Sequence, residues 1–428
     1  MQQRTGFGQW LRALRDTRGM TQEELAEVSG SSVRTIREME RGRVRTPQRR
    51  TVALLADALG LAGPDRDRFV GLARAGHRPH SGPVVAAPPV VPSELPAAVP
   101  NLVGREAELA VLTRLTTGVT DGSATTASVV VLHGPPGTGK SSLAVTAGHR
   151  LGTTFADGQL FLDLRGTAPA DAVDPTEALA SLLRSLGLPE EAIPGSPEQR
   201  GRLFRTLTRD RRLLIVADGA DDEAQIRPLL PAGRHCLTLV TSRQPLTGLT
   251  GAVRVSVGLL APDAARRLLA SIAGEDRLAA DPTGTAELVE LCGRLPLAIR
   301  VAGNRLASRP GWPVTQLVAQ LADPRRRLTA LTTGDLDVRA AFDVSYRRLG
   351  ATVAGVFRWA SLVPGAEFDA GLLAAVTGVD VESAAAAAEE LVDAGLLLPQ
   401  GDRYAFHGLT RIYARERLAV EGEGRAPC

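Results

Sequence analysis

The fold of the central part of this chain is decided by residues 129–142, which read VVVLHGPPGTGKSS. A short apolar run leads into a glycine-rich turn, and residues 134–141 match the phosphate-binding pattern G-x-x-x-x-G-K-[ST]. In such a loop the backbone N–H groups surround a phosphate, a lysine reaches the terminal oxygens and a serine binds Mg²⁺. The sequence therefore predicts a P-loop α/β domain in which a nucleotide contacts Gly134, Pro135, Pro136, Gly137, Thr138, Gly139, Lys140, Ser141 and Ser142.

Lys140 strengthens this prediction because it is the single lysine among the 50 lysine and arginine residues of the chain. A compact ammonium on a flexible stem reaches phosphate oxygens through a tight turn, whereas the planar fork of arginine does not fit this role. A chance match in a glycine-rich loop would have to place that one lysine where the pattern requires it. We therefore expect a nucleoside triphosphate or diphosphate to bind here.

A second acidic site for the metal follows at Asp218. Residues 212–218 (RLLIVAD) form an apolar run that ends in a carboxylate, as the metal-binding strand of P-loop proteins does. Similar short runs alternate with helical segments, which is typical of a parallel sheet buried on both faces. The predicted strands are Ser128–Leu132, Gln159–Leu164, Leu213–Ala217 and Cys236–Val240; helical spacing takes over after Val257, with a hairpin near Leu396–Phe406.

The first 75 residues predict a separate all-helical domain. They carry 14 arginines against 9 acidic residues, a basic balance that indicates a localised anionic partner. Thr21 and Glu24 predict a capping box at the start of the second helix, and a tight turn at Ser29-Gly30-Ser31 follows that helix. The predicted helices are Phe7–Arg18, Thr21–Val28, Ser32–Arg41, Gln48–Leu59 and Asp65–Ala75.

Residues 76–100 contain seven prolines and no sustained periodicity, which predicts an extended linker between the two domains. No run of 18 apolar residues and no apolar signal segment occurs, so we expect neither a membrane span nor secretion. The three cysteines are far apart and form no C-x-x-C pair, which argues against zinc and disulfides and favours a cytoplasmic location.

Residues 20–42 (MTQEELAEVSGSSVRTIREMERG) resemble the helix-turn-helix domains of phage-repressor (XRE) type. In that family the second helix of the motif enters the major groove of double-stranded DNA. The alternatives are that these arginines form a solvated helix face, or that the domain binds a protein. The resemblance implies DNA contacts by Gln22, Ser32, Arg34, Thr35, Arg37 and Glu38, with Arg43, Arg45, Arg49 and Arg50 on phosphates beside the groove.

Further motifs lie in order around the P-loop: residues 103–106 (VGRE), 241–243 (TSR), 292–298 (CGRLPLA) and 404–407 (YAFH). Their order and spacing resemble the NB-ARC signal-transduction ATPases of the STAND class, which include plant resistance proteins and actinobacterial transcriptional regulators. The resemblance implies a multidomain fold. Its parts would be an all-α helix-turn-helix domain (1–76), a linker (77–100), a P-loop α/β nucleotide-binding domain (101–257), a helical domain (258–332), a winged-helix domain (333–420) and a tail (421–428).

The same resemblance implies roles for single residues. Arg243 would detect the γ-phosphate, although by itself it could be a surface arginine that follows a strand. His407 would reach the β-phosphate of ADP and lock a closed state, although it could also be a buried structural histidine. The implied roles are nucleotide contact by Val103, Arg105, Pro296 and His407, catalysis by Lys140, Asp218 and Arg243, and Mg²⁺ binding by Ser141 and Asp218.

Two positions depart from the family pattern. Many members place a second acid directly after the metal-binding aspartate, as a base for the attacking water, and this chain has Gly219 there. The family histidine is usually followed by aspartate, and this chain has Gly408. We therefore expect slow hydrolysis at most, and a closed ADP state that is weaker than usual.

The resemblance implies a transcriptional regulator that ADP turns off and ATP turns on, with Mg²⁺ as cofactor. Its partners would be double-stranded DNA and an adenine nucleotide, within a nucleotide-dependent homo-oligomer and without a membrane. By analogy with actinobacterial relatives, it would control a secondary-metabolite gene cluster. One alternative is a defence or stress-signalling ATPase whose helix-turn-helix binds a partner. Another is an ATPase whose turnover is its output, against which Gly219 argues.

Overall fold

The computed structural model describes residues 7–41, 47–75, 91–120, 127–166 and 172–421. The chain divides into two compact units, Met1–Pro89 and Val90–Cys428. The predicted DNA contacts Arg43 and Arg45 lie outside the described residues.

The N-terminal unit is helical throughout its described residues, and each predicted helix is confirmed to within two residues at either end. Leu11, Leu25, Ile36 and Phe69 form part of its fully buried core. The capping box is present, because the Thr21 side chain accepts from the third residue of the helix and that residue bonds back to Thr21. The helices are α1 (Phe7–Thr17), α2 (Gln22–Ser29), α3 (Val33–Glu40), α4 (Arg49–Ala58) and α5 (Gly63–Ala75).

The second unit is built around a parallel sheet in the order β2-β3-β4-β1-β5. The four predicted strands are confirmed, and a fifth lies at the edge beside β1. β5 could not be predicted from the sequence, because only Val255 in it is buried and no apolar run marks it. The strands are β1 (Ser128–His133), β2 (Gln159–Asp163), β3 (Leu214–Ala220), β4 (Leu237–Ser242) and β5 (Val253–Ser256).

Helices cover both faces of this sheet, as alternating strands and helices require. Val131 and Ile215 belong to the core on one face, and Val130 and Val216 to the core on the other. The two cores bury the sheet on both sides and so hold the ends of its strands in place. The helices are α6 (Glu106–Thr120), α7 (Lys140–Leu151), α8 (Pro175–Ser185), α9 (Pro197–Thr208) and α10 (Glu223–Ile226).

Residues 91–100, the end of the predicted linker, contact the free edge of β2. The N–H of Gln159 donates to the carbonyl of Pro92 (2.7 Å), and the N–H of Glu94 donates to the carbonyl of Gln159 (3.0 Å). Leu95 packs against the adjacent core. Prolines remove donors without preventing these contacts, so the proline count did not predict them.

The C-terminal part of the second unit is mainly helical, and one continuous core runs through it from Leu260 to Ala414. The predicted hairpin is present as β9 and β10, and β8 extends it to an antiparallel sheet in the order β8-β10-β9. The strands are β6 (Thr332–Thr333), β7 (Leu336–Asp337), β8 (Glu367–Phe368), β9 (Leu398–Gln400) and β10 (Arg403–Ala405). The helices are α11 (Pro262–Ala273), α12 (Glu275–Ala279), α13 (Pro282–Leu291), α14 (Pro296–Ala307), α15 (Val314–Ala322), α16 (Pro324–Ala330), α17 (Val338–Tyr346), α18 (Ala351–Ala360), α19 (Ala370–Thr377), α20 (Val381–Asp393) and α21 (Gly408–Glu421).

In the described part of the chain no single helix has both the length and the apolar composition to cross a membrane. The pair α19 and α20, bent by 106° at the break between them, meets those two requirements only when taken together.

Candidate functional site

The carboxyl edge of the large sheet opens into a cavity of about 420 Å³. Ligands of open α/β folds bind at this edge, beyond the ends of the parallel strands. The loop after β1, the end of β3 and the residue after β4 converge on this space. Six residues with predicted roles line it: Pro136, Gly137, Lys140, Ser141, Asp218 and Arg243.

Lys140 is the first residue of α7, and its ammonium turns back toward the loop. Its Nζ donates to the carbonyl oxygens of Gly134 (2.8 Å) and Pro135 (2.9 Å). Desolvation lowers the pKa of Lys140 to about 7, the nearby Arg243 also lowers it, and Asp218 opposes the shift. A phosphate group beside Lys140 would favour the charged ammonium and so oppose this shift of the pKa.

The remaining predicted loop residues shape the turn and do not line the cavity. Thr138 is fully buried and donates through Oγ1 to the carbonyl of Pro135 (2.8 Å). Gly139 has φ +89 and stands directly before the first turn of α7. This geometry leaves the N-terminus of α7 directed at the cavity, where its unpaired N–H groups favour anions. The loop residues outside the cavity lining are Gly134, Pro135, Thr138, Gly139 and Ser142.

Asp218 is fixed by a short chain of hydrogen bonds. Thr241 Oγ1 donates to Asp218 Oδ1 (2.6 Å), and the N–H of Gly219 donates to Thr241 Oγ1 (2.8 Å). Gly219 has φ +71, a conformation that residues with side chains rarely adopt. The backbone therefore disfavours a second acid at this position, which gives a physical reason for the glycine.

Arg243 contacts the C-terminal helices. Its NH1 donates to Ser345 Oγ (2.8 Å), and Ser345 Oγ in turn donates to the carbonyl of Ala394 (2.8 Å). Ser345 lies in α17, and Ala394 directly follows α20. Burial lowers the pKa of Arg243 to about 10, so the guanidinium stays charged at neutral pH. Two C-terminal elements thus meet at the arginine predicted to detect the γ-phosphate.

Arg348 makes a second contact between the C-terminal region and the edge of the large sheet. Its guanidinium pairs with the carboxylate of Asp221 and donates to the carbonyl of Gly166 (2.5 Å). Asp221 follows β3 and Gly166 follows β2, so one C-terminal side chain joins two turns at the sheet edge. Partial burial lowers the pKa of Arg348, which nevertheless remains paired with a carboxylate.

Gly395 brings the C-terminal region onto the P-loop itself. It has φ +69, and a Cβ there would lie 2.8 Å from Pro135 Cα and 2.9 Å from Pro136 Cδ. The backbone at this position therefore packs directly against the two prolines of the loop. Gly395 thereby lies beside the small pocket that Pro135, Pro136 and His407 also line.

Two residues predicted to contact the nucleotide lie outside the cavity lining. Arg105 is 4% exposed, and its NH2 donates to the carbonyls of Thr138 (2.9 Å) and Gly258 (2.7 Å). Val103 packs against the helical core. In this structure Arg105 supports the P-loop through its backbone.

Pro296 and His407 also lie away from the cavity lining. Pro296 begins α14, where the N–H of the next residue, Leu297, donates to the carbonyl of Gly137 (3.1 Å). His407 is buried, and its Nε2 donates to the carbonyl of Gly293 (2.8 Å), while Nδ1 accepts from a backbone N–H. Burial lowers the pKa of His407, and its Nδ1, which accepts a hydrogen bond, carries no proton in this arrangement. It lines a small apolar pocket beneath the loop prolines.

The structure adds cavity residues that the sequence analysis missed. Asp163 and Arg165 come directly from the end of β2, and Asp163 is the register partner of Asp218. Their position after a predicted strand was a usable signal, because strand ends share one edge. Ser345 and Arg348 carried no such signal, since only the tertiary fold brings them to the sheet.

In the helix-turn-helix unit, Gln22 is held by hydrogen bonds within the protein. Its Nε2 donates to Glu40 Oε2 (2.6 Å), and its Oε1 accepts from Arg37 Nε (3.3 Å). Glu40 also accepts from Arg15 Nε (2.6 Å). This network links α1, α2 and α3 at the face predicted to meet DNA.

Most of the other described candidates for DNA contact lie directly before α3 or within it. Ser32 caps the helix, accepting from the N–H of Thr35 (3.1 Å). Arg34 and Arg37 are exposed, whereas Thr35 and Glu38 are half-buried. The two arginines and Ser32 are thus the most accessible of these side chains.

Comparison with known proteins supports the N-terminal helix-turn-helix domain and the ATPase fold of the second unit. Residues 7–69 match the family described as "Helix-turn-helix domain". The chain is 41% identical to the regulatory protein AfsR of Streptomyces coelicolor over 342 residues, which are 78% of this chain and 34% of AfsR. It therefore spans about a third of the length of that relative. It is 30% identical to the uncharacterized protein Rv0894 of Mycobacterium tuberculosis over 360 residues, which are 76% of this chain and 83% of that protein.

Among solved structures, the Walker-type ATPase paby2304 of Pyrococcus abyssi aligns with 74% of this chain and 97% of its own, at a TM-score of 0.51 and 15% identity. At that identity the likeness concerns the fold, which is that of a P-loop ATPase. The chain belongs to the same family as Rv0894, and it combines an N-terminal helix-turn-helix domain with the fold of a P-loop ATPase.

Proposed function

We propose that this chain is a DNA-binding transcriptional regulator that is switched by adenine nucleotide, off with ADP and on with ATP. The observation that carries the proposal is the 2.8 Å hydrogen bond from Arg243 to Ser345. The arginine that the family uses to detect a γ-phosphate is engaged by a side chain of the C-terminal helices. A γ-phosphate and Ser345 would compete for one guanidinium.

The cavity residues fit a magnesium nucleotide. Lys140, with a pKa of about 7, gains most from an anionic ligand, and the N-terminus of α7 favours the same charge. Ser141 and Asp218 would hold Mg²⁺, which would offset the charge of the phosphates. Thr241 fixes one oxygen of Asp218 and leaves the other available to the metal.

The switch would operate through differential contacts. A ligand shifts a conformational equilibrium only by interacting differently with the two states. In the closed form Ser345 binds Arg243, Arg348 binds Asp221, and Gly395 packs on the loop. ADP leaves these contacts intact, whereas a γ-phosphate takes Arg243 from Ser345 and weakens closure. Gly408 removes the family's aspartate beside His407, so closure in this chain depends more on Ser345 and Arg348.

Hydrolysis would be slow and would serve to reset the switch. The family places the water-activating acid at the position of Gly219, whose left-handed backbone disfavours any side chain. Asp221 is the next acid along the chain, and in the closed form it is paired with Arg348. The closed form therefore lacks an unpaired base at the end of β3.

DNA would be read by α3. We propose base contacts by Arg34, Thr35, Arg37 and Glu38, with Gln22 on a phosphate. The 2.6 Å bond from Gln22 to Glu40 would orient this amide at the N-terminus of α2. Ser32 would act through its cap of α3, and residues 42–46 would supply the phosphate contacts Arg43 and Arg45.

The C-terminal region would divide into a helical domain, residues 258–332, and a winged helix, residues 333–420. The antiparallel sheet β8-β10-β9 and the helices around it support the second assignment. Opening would expose a surface for self-association, and several linked DNA-reading units would gain avidity without new base contacts. Among the targets we propose the secondary-metabolite gene clusters that the family resemblance implies.

The first test measures binding of ADP and of a non-hydrolysable ATP analogue to the full chain by calorimetry, with and without Lys140→Ala. We expect both nucleotides to bind and the variant to lose at least about 100-fold in affinity, because the loop loses its one cation. Arg202→Gln, an exposed arginine on α9, is the control. A wild-type chain that binds neither nucleotide contradicts the proposal. Failure to retain any genomic DNA fragment at low salt would favour a partner-binding role for the helix-turn-helix.

A further inference from the structure

Arg165 has an unusual backbone for its residue type. It has φ +47, in the left-handed region where residues other than glycine are uncommon. Such conformations persist only when the surroundings impose them, and they cluster at functional sites. Arg165 lies directly beyond β2 and lines the large cavity.

Neighbouring turns impose this conformation. The N–H of Leu164 donates to the carbonyl of Asp218 (2.9 Å), and the N–H of Gly166 donates to the carbonyl of Gly219 (2.8 Å). Asp163 Oδ1 accepts from the N–H of Arg165 itself (3.0 Å). The turn after β2 is thus held against the metal-binding turn after β3, with Arg165 between the two bonds.

The Arg165 guanidinium differs from those of the other two arginines that line this cavity. Arg243 is bound to Ser345, and Arg348 is bound to Asp221. Arg165 is exposed, and within the described ranges its side chain has no hydrogen bond or ion pair. A strained backbone therefore presents an unpaired cation to the same space as Lys140 and Asp218.

The position of β2 indicates which part of a ligand this cation can reach. In the sheet order, β3 and β4 separate β2 from β1, a distance of about 14 Å at the usual strand spacing. Arg165 therefore faces the cavity from the side opposite the P-loop. A diphosphate held by Lys140 would stay near the loop, whereas a third phosphate would extend toward Asp218 and Arg165.

We propose that Arg165 is a ligand of the terminal phosphate of a nucleoside triphosphate, and that it makes the site discriminate triphosphate from diphosphate. The inference rests on the proposed nucleotide site. It adds a second cation, supplied by β2, to the one at Arg243. Because Arg243 is held by Ser345 in the closed form, Arg165 is the cation that an incoming γ-phosphate meets unpaired.

The test compares dissociation constants of the full chain for ADP and for a non-hydrolysable ATP analogue in four proteins. These are the wild type, Arg165→Asn, Arg165→Gly and the control Arg202→Gln. Asparagine and glycine both accept the left-handed backbone, so the turn is retained while the cation is lost. Thermal unfolding of each variant checks that the fold is intact.

We expect both Arg165 variants to bind the triphosphate analogue roughly ten-fold or more weakly, since a charge-assisted bond is lost, with ADP affinity changed by less than about two-fold. Arg165→Gly also relieves strain, so its Tm should rise. Unchanged triphosphate affinity in both variants, or an equal loss for both nucleotides, would overturn the inference. If the wild type binds neither nucleotide, the proposed nucleotide site fails, and this inference fails with it.

Discussion

At the scale of single residues, Lys140 shows how one position combines sequence and structural evidence. The loop pattern identifies it, and its surroundings lower its pKa to about 7, mainly by desolvation. A lysine with a depressed pKa in the folded state destabilises the protein below that pKa. As pH rises from about 7 toward the ordinary lysine range, this destabilisation shrinks and the free energy of unfolding increases. The loop is therefore built for a ligand that reverses this shift.

The first prediction concerns the uptake of protons when a nucleotide binds. Bound phosphate raises the pKa of Lys140, so nucleotide binding at pH 8.5 should take up about one proton, and at pH 6 Lys140 should take up almost none. Calorimetry of ADP binding in two buffers with different ionisation enthalpies measures this uptake. Equal enthalpies in the two buffers at pH 8.5 would contradict the pKa assigned to Lys140.

Residue roles could be predicted only in part from the sequence. The P-loop pattern located Lys140 and Ser141, the apolar strand located Asp218, and the family resemblance located Arg243. All four line one cavity. Arg105 could not be placed in this way, because its contacts to the P-loop and to Gly258 are with backbone carbonyls more than 30 residues away along the chain. No local pattern encodes a bond to a carbonyl, since every residue carries one.

At the scale of elements, the helix-turn-helix depends on well-formed helix ends. Thr21 caps α2 and Ser32 caps α3, while Glu40 joins the two helices through Gln22. A cap satisfies N–H groups that a helix leaves unpaired at its start. Helix α3 is therefore positioned by contacts at its two ends.

The second prediction is that Thr21→Ala destabilises the N-terminal unit by about 1 kcal/mol, because the capping box at α2 is lost. Hydrogen exchange of the α2 amides in the full chain measures the effect. Thr17→Ala, at the end of α1, removes a threonine that caps no helix start and should change exchange far less. Equal effects of the two substitutions would count against the role of the cap.

Elements were predictable where a segment has its own periodicity. The helices of the N-terminal unit and the inner strands β1, β3 and β4 are dense in residues that bury one or both faces. The edge strand β5 and the two-residue strands β6 and β7 have almost no buried residues, so they leave no pattern. Their formation depends on neighbours that are distant in sequence.

At the scale of the whole second unit, the C-terminal helices close the cavity through a few polar contacts. Ser345 meets Arg243, and Arg348 meets Asp221 and Gly166. Desolvation lowers the pKa of both arginines, so each needs a partner in the closed form. A phosphate that replaces Ser345 as the partner of Arg243 would remove one of the contacts that close the cavity.

The third prediction concerns the contacts that hold the C-terminal helices over the cavity. Ser345→Ala and Arg348→Ala should each speed the release of bound ADP by about three- to thirty-fold, because each removes a contact that holds the helices on the sheet. Displacement of a fluorescent ADP analogue measures the rate. Arg347→Ala is a matched control, since its side chain is 76% exposed and pairs only within α17. Equal release rates in all three variants and the wild type would argue against these contacts as the closing device.

The central claim is that the nucleotide in this cavity controls DNA binding, and one measurement tests it most directly. Affinity of the full chain for a genomic fragment that it captures is measured at one salt concentration, first saturated with ADP and then with a non-hydrolysable ATP analogue. Avidity from self-association predicts binding that is at least about ten-fold tighter with the ATP analogue. Identical affinity in the two states, with both nucleotides shown to be bound, would contradict the switch.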